Sequence, residues 1–417
     1  MIGDWRGGGK QANEWRKIGV FASCETVTNC FIDKAKRIRC NRLIEQIMAN
    51  SNLTNAKRAK NDEFYTQYSD IQKEIEAYLE YNPDVFRDKV VYCNCDDPFE
   101  SNFFRYFVLN FNKLGLKQLI TTSYKPSPVA NTQLQLFGDD KTLTKSKGRP
   151  KITANKFIIN EVKDIDGDGE FNLKDVAMQL KANKHNEWTP LEGDGDFRSD
   201  ECINLLKQSD IVVTNPPFSL FREYVKQLFD YNKKFLIIGS INCIAYKEIF
   251  QKIKNNEIWL GNGMGRWISG FIVPKSYDLY GTEARIDENG DRIVATNSCL
   301  WLTNLDHGRR HQPLPLMTME ENLKYSKHKE IKNKKAYDKY DNYDAIEVSF
   351  TDSIPSDYKG VMGAPITFLD KYNPDQFEII GQMATTKVDE FNHGYPYING
   401  QKKYARVLIK HKKKIKD

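Results

Sequence analysis

No apolar run in this chain approaches the roughly 20 residues that a membrane-spanning helix needs. Ile18-Gly-Val-Phe-Ala-Ser-Cys24 follows Arg16-Lys17, but it is too short for a signal-sequence core and Glu25 ends it. The eight cysteines form no paired C-x-x-C arrangement, which excludes the common zinc sites. Cys93 and Cys95 lie one residue apart in an apparent strand, so both are expected on one face as small buried residues. Reduced cysteines of this kind fit a cytosolic, cytoplasmic compartment. There is no H-E-x-x-H, no Walker-type G-x-x-x-x-G-K-S/T and no Ser-His-Asp order, so hydrolase and kinase readings lack support. No internal repeat is present.

What is present is an aromatic, unevenly basic chain. Its 417 residues allow two domains or one elaborated domain. Aromatics make up 12%, with 21 Tyr and 23 Phe, and such rings serve cores and also stack on bases. The net charge of +6 is mild but clustered. Lys402-Lys403, Arg406 and the run Lys410 to Lys416 make the C-terminus basic, and Lys324 to Lys339 is rich in Lys and Tyr. Such patches suit a phosphate backbone, although a solvated tail has the same composition. His307-Gly-Arg-Arg-His311, the only close pair among six histidines, reads as a basic turn facing a nucleic acid rather than a metal site.

Hydrophobic periodicity divides the chain into three parts. Residues 1–52 form an N-terminal extension, with a basic amphipathic helix expected over 26–49. Residues 53–255 alternate strands with helices, the pattern of a doubly wound α/β sheet. Strands are expected at Lys89–Cys95, Leu116–Ser123, Lys156–Val162, Asp210–Asn215 and Lys234–Ser240. Helices are expected over 69–81 and 99–114 and from Leu173. Residues 124–156 read as an insertion loop. Within it, Lys147-Gly-Arg-Pro-Lys151 is either a solvated loop or a minor-groove element of the AT-hook kind. Residues 256–417 change texture to short alternations, an α+β region.

The sharpest signal is Asp210-Ile-Val-Val-Thr-Asn-Pro-Pro-Phe218. Pro216 and Pro217 remove two backbone donors and fix φ, so a buried strand must end in a rigid turn at its carboxyl end. In open α/β sheets ligands bind there. The Asn215 amide and the Pro216 carbonyl can accept two hydrogen bonds from one exocyclic amine, with Phe218 stacked on the ring that carries it. That is a grip for an extruded adenine whose amine faces a methyl donor. An ordinary strand-to-loop turn is the plain alternative.

Other constellations have two readings each. Asp96, Asp97 and Pro98 follow the first strand, where a nucleotide-type cofactor lies; Asp97-Pro98 also makes a good helix start. Asp196-Phe197 could hold and cover a cofactor adenine, or form an Asx turn in a glycine-rich loop. Asp164, Asp166, Asp168, Gly169 and Asp175 match an EF-hand loop at positions one, three, five, six and twelve, apart from Asp in place of the final Glu. A structural calcium site and a run of Asx turns remain open there. No carboxylate ends the second strand, Leu119-Ile-Thr-Thr-Ser-Tyr-Lys125, where a ribose would be gripped.

Taken together, Asn61-Asp-Glu-Phe-Tyr-Thr66, Cys95-Asp-Asp-Pro-Phe-Glu-Ser-Asn102, Thr214-Asn-Pro-Pro-Phe218, Trp301-Leu-Thr-Asn-Leu-Asp306 and Gly360-Val-Met-Gly-Ala-Pro-Ile-Thr-Phe-Leu-Asp370 resemble the EcoRI-type adenine-specific DNA methyltransferases. The resemblance covers about residue 53 to the end. It implies a Rossmann-like S-adenosylmethionine-dependent sheet over 53–255 and a DNA target-recognition region over 256–417. It implies methyl transfer to adenine N6 in double-stranded DNA, with a cognate restriction endonuclease as a possible partner and no membrane. Asn215, Pro216, Pro217 and Phe218 would then hold the flipped base. Phe64, Tyr65 and Thr66 would lie against the methionine end of the cofactor, Asp96 and Asp97 in the first cofactor loop, and Asp196 and Phe197 at its adenine. Two rivals stay open: a glutamine-N5 protein methyltransferase using the same Asn-Pro-Pro-aromatic grip, and a non-catalytic DNA-binding module that keeps the fold but not the cofactor.

Overall fold

A computed structural model of the chain describes residues 65–95, 101–124, 154–169, 171–182, 184–264, 268–273, 279, 284–288, 290–294 and 299–412. All belong to one of the chain's two units, Ala59–Asp417. The basic helix expected over 26–49 and the Gly-Arg-Pro run at 147–151 lie outside the described residues.

β1 (Tyr65–Thr66) leads into α1 (Tyr68–Tyr81), which buries Ile71, Ile75 and Tyr78 at helical spacing. β2 (Val90–Cys93) is buried at every position. Ser101 caps α2 (Asn102–Leu109) by accepting from the Phe104 amide at 3.2 Å. Asn110 separates α2 from the one-turn α3 (Phe111–Leu114), so the helix expected up to residue 114 is broken. Gly115, in the left-handed region at φ 63°, ends it. Then come β3 (Gln118–Thr122), β4 (Asn155–Ile159), α4 (Leu173–Ala182) and β5 (Glu187–Pro190). α5 (Asp200–Gln208), β6 (Ile211–Thr214), α6 (Phe221–Asp230), β7 (Lys234–Ser240) and α7 (Lys247–Lys254) follow.

Beyond α7 lie β8 (Trp259–Met264), β9 (Phe271–Val273), β10 (Arg285–Ile286), β11 (Arg292–Val294) and β12 (Cys299–Thr303). The main sheet has eight strands in the order β5-β4-β3-β2-β6-β7-β12-β8. Its centre, β3-β2-β6-β7, is parallel, and the flanking pairs are antiparallel. From β2 the chain winds outward to β3; from β6 it winds the other way to β7. The order therefore reverses between β2 and β6.

Alternate strand residues feed two cores. Tyr92, Ile120, Val212 and Ile237 face one, with α5, α6 and α7. Val91, Leu119, Val213 and Ile238 face the other, with α1, α2 and α4. A sheet covered on both faces reads as continuous apolar runs, which is why the central strands stand out in the sequence. The expected α/β class holds, as a mixed sheet.

The C-terminal part adds α8 (Met319–Tyr325), opened by a capping box between Thr318 and Glu321. Then come β13 (Ile346–Glu347), β14 (Met362–Pro365), β15 (Phe377–Met383), the hairpin β16 (Tyr397–Ile398) and β17 (Gln401–Lys402), and β18 (Arg406–His411). A second sheet has the order β13-β14-β18-β15, and β1-β9-β11-β10 make a third. Met362, Phe377 and Val407 share the core of α6 and α7.

Two local expectations are corrected. Cys93 is buried among α1 and α2, but Cys95 packs half-buried against the opposite core. β2 stops at Cys93, and Cys95 takes a left-handed backbone (φ 64°), which breaks the two-residue alternation. The His307–His311 turn is turned inward only in part: His307 and Arg310 are buried, the Arg310 guanidinium 3.6 Å from the Trp259 ring centroid, while His311 is exposed. Burial holds the His307 ring down to about 4, so it is neutral at pH 7.

Candidate active site

The diproline corner forms as its residues require. β6 stops at Thr214, its last ladder residue, and Asn215, Pro216 and Pro217 stay buried. Pro217 is extended (φ −61°, ψ 122°) and opens a 3-10 turn over Phe218–Leu220, which runs into α6. The strand's carboxyl end is therefore held between a ladder and a helix.

This corner sits where the winding reverses, beside the end of β2. Asn94, just past β2 and 3% exposed, ties the two strand ends together. Its carbonyl accepts from the Thr214 hydroxyl, and its side-chain oxygen accepts from the Tyr224 hydroxyl. Tyr224 lies on α6, so sheet and helix are locked at one point. Burial raises its phenol well above the ordinary value and keeps it a neutral donor.

Phe218 is half-buried, its ring centroid 6.4 Å from that of Phe271. Phe271 on β9 pairs with Thr66, and Asn102 donates to the Thr66 carbonyl at 2.8 Å. Tyr65, Thr66, Asn102 and Phe218, far apart in sequence, are thus neighbours around Phe271. The Thr66 hydroxyl is buried and has no hydrogen-bond partner among the described residues. Leaving such a group unpaired costs about 1–3 kcal/mol.

α1 holds two neighbouring strands with buried carboxylates one turn apart, Asp70 just ahead of β9 and Glu74 on β8. Asp70 accepts from the Ser269 amide at 2.8 Å and hydroxyl at 3.0 Å. Glu74 accepts from the Asn262 amide at 2.8 Å and from Tyr78 at 3.0 Å. Burial raises both carboxyls, Glu74 to about 7. Sequence reading missed these two, together with Asn94, Tyr224 and Phe271. Acids at positions 70 and 74 on an otherwise apolar helix face were the available signal.

The Gly193–Phe197 loop lies against the end of β3. Gly195 (φ 80°) would place a Cβ 1.9 Å from the Ser123 carbonyl oxygen, so only glycine allows the approach. Asp196 makes the Asx turn, accepting from the Arg198 amide at 2.9 Å. Its carboxylate also receives the Arg198 guanidinium at 2.9 and 2.7 Å. Phe197 is buried edge-on against Tyr224, centroids 5.0 Å apart. It therefore touches the same ring that bonds Asn94.

Phe64, Asp96, Asp97 and Pro98 lie outside the described residues. In the acidic loop, Asp164, Asp166 and Asp168 are exposed, with one oxygen from each within 4.8 Å of the others. Asp164 accepts from the Gly167 and Gly169 amides at 2.7 and 2.8 Å, and Asp166 pairs with Lys174 at 2.6 Å. Asp175 is buried outside that group and accepts from the Ile165 and Asn172 amides at 2.8 and 2.9 Å. These bonds are those of Asx turns around a central staple, and they give calcium no support.

A sequence model of one family, described as adenine-specific methyltransferase EcoRI, matches residues 52–412. The chain is 50% identical over 366 residues to the type II methyltransferase M.EcoRI of Escherichia coli, covering 87% of this chain and 97% of that one. It is 37% identical over 368 residues to the type II methyltransferase M.MgeORF184P of Mycoplasma genitalium, covering 85% and 97%. It is 34% identical over 373 residues to the type II methyltransferase M.MpnI of Mycoplasma pneumoniae, covering 86% and 98%. No solved structure matches.

Proposed function

The chain belongs to the EcoRI family of adenine-specific methyltransferases, and on that premise we propose how its residues carry out the reaction. It is a type II DNA adenine methyltransferase of a restriction-modification system. S-adenosylmethionine, when bound, supplies the electrophilic methyl. The reversal of strand order between β2 and β6 supports a Rossmann-like reading, with the cofactor crevice at that reversal.

Asn215 Oδ1 and the Pro216 carbonyl accept the two N6–H groups of an adenine turned out of the duplex. Two acceptors in fixed positions draw the amine out of conjugation with the ring, so its nitrogen lone pair becomes the nucleophile. Phe218 stacks on the purine. Flipping costs a few kcal/mol, and stacking returns about 1–3 kcal/mol of it. Positioning and a dry corner supply the acceleration. Tyr65 and Thr66 hold the methionine end, with the Thr66 hydroxyl as its hydrogen-bonding group. Phe197, held by Tyr224, lines the adenine end, and Asp196 keeps that loop in place. Asp96, Asp97 and Pro98 complete the loop after β2. Residues 256–417 carry target recognition, and a cognate endonuclease cuts the unmodified site.

The observation that carries this reading is the buried Asn215–Pro217 corner at the strand-order reversal, with Phe218 beside the Thr66–Phe271 pair. The test is modified-base sequencing of DNA from cells making this chain. N6-methyladenine at one position of one short sequence is expected. Unmodified DNA, or methyl label recovered in protein glutamine, would overturn it.

A further inference from the structure

Resting on that reading, we propose that the β16–β17 hairpin is a rigid wing that seats the enzyme on the sugar–phosphate backbone of duplex DNA. Its residues alternate by side. Pro396 and Ile398 are buried, Ile398 in a small core with Tyr340, Ala345, Met383 and Leu408. Tyr397, 38% exposed, stands opposite Lys402 in the ladder. Tyr395 joins this outer side, because the Lys402 ammonium lies 3.3 Å from its ring centroid. Tyr404, two residues past Lys402, is 86% exposed, more than any other large apolar or aromatic side chain among the described residues.

The wing is stiff. Asn399 and Gly400 are both left-handed, at φ 51° and 72°, the turn that suits a two-residue hairpin. Their amides donate to Asp341 at 3.0 and 2.8 Å. The Asp341 amide donates to the Tyr397 carbonyl at 2.8 Å, and Asn342 donates to the Tyr395 carbonyl at 3.0 Å. Holding the turn occupies the Asp341 carboxylate, while Lys332, Lys335 and Lys339 on the same segment stay exposed. A preorganised element loses little entropy on binding.

Its position is apt. Gln382, near the end of β15, donates to the Ala245 carbonyl at 3.5 Å, and Glu390 pairs with Lys247 at 3.0 Å. The loop leading into the wing therefore lies past the carboxyl end of β7, the same sheet edge as Asn215. Lys402 there neutralises a phosphate, and the uncovered Tyr404 two residues on packs on sugar while its hydroxyl reaches a phosphate oxygen.

The test is binding of the full chain to a fluorescent mixed-sequence DNA duplex, across a salt series. Lys402→Gln should make the slope of log affinity against log salt shallower by about 0.9, one phosphate contact. Tyr404→Ala should weaken binding about tenfold at unchanged slope, the behaviour of an interfacial tyrosine anchor. Lys113→Gln, an exposed lysine on α3, should change neither quantity. Wild-type affinity and slope in both wing variants overturn the proposal. They do so whether or not the wild-type chain methylates adenine, which label transfer reads separately.

Discussion

Phe271 serves two partners at once: its backbone pairs with Thr66, and its ring centroid lies 6.4 Å from that of Phe218. The segment proposed for the cofactor and the ring proposed for the base thus share one support. It is 2% exposed, so Phe271→Ala should cost about 3–5 kcal/mol of stability by urea unfolding. At a temperature where the variant is still folded, methyl transfer should fall, and Phe271→Leu should recover most of both quantities. A variant that loses stability but keeps full transfer would show that Phe271 supports the core alone.

Glu74 makes stability fall as pH rises. Burial holds its folded carboxyl at about 7, above the ordinary 4.5. Below 4.5 both states are protonated and the full contribution is present. Between 4.5 and 7 the unfolded chain has released the proton that the folded chain keeps, so stability is lost across that window. The loss is on the order of 3 kcal/mol at 1.36 kcal/mol per pH unit. Glu74→Gln should remove it. Urea unfolding at successive pH values should show the variant gaining on wild type from pH 4.5 to 7 and then running parallel; curves parallel throughout would contradict this.

The buried pair Glu347–Arg406 ties β13 to β18. The Arg406 Nε lies 3.1 and 3.0 Å from the two carboxylate oxygens, and Tyr340 donates to the same carboxylate. Glu347→Ala strands a buried guanidinium and should cost about 3–5 kcal/mol. Adding Arg406→Met should restore part of that loss, because the unpaired charge goes with it. Unfolding free energies that simply add would argue against coupling.

Asp175 is the staple of the acidic loop. Asp175→Ala should cost about 1–2 kcal/mol, as loss of a capping carboxylate does, and by the same amount with calcium or with chelator. Asp164→Ala, at an exposed position, should cost less. A melting temperature that rises with calcium in wild type but not in Asp164→Ala would reverse this account.

Much of the centre was readable because burial on both faces writes itself as apolar runs. Val90–Cys93, Ile211–Thr214 and Lys234–Ser240 all fall inside expected strands, and the Asn-Pro-Pro corner stands where proline chemistry requires. β5 escaped notice because Glu187–Pro190 has no fully buried position and no alternation to detect. β8 and β12 read as part of a separate α+β region, yet they extend the main sheet, β12 through long-range pairing with β7 and β8 through pairing with β12. The supporting residues were hidden for the same reason. Nothing near Asn94 announces Tyr224, 130 residues away, and nothing near Ser269 announces Asp70, 199 residues away.

The central claim is that Asn215 accepts the reacting amine. Single-turnover transfer of labelled methyl to duplex DNA, at saturating duplex and cofactor, tests it directly in wild type and Asn215→Ala. Loss of one preorganised polar partner should slow transfer roughly hundredfold to thousandfold, while duplex affinity changes little. An Asn215→Ala chain that transfers methyl at the wild-type rate would contradict the account.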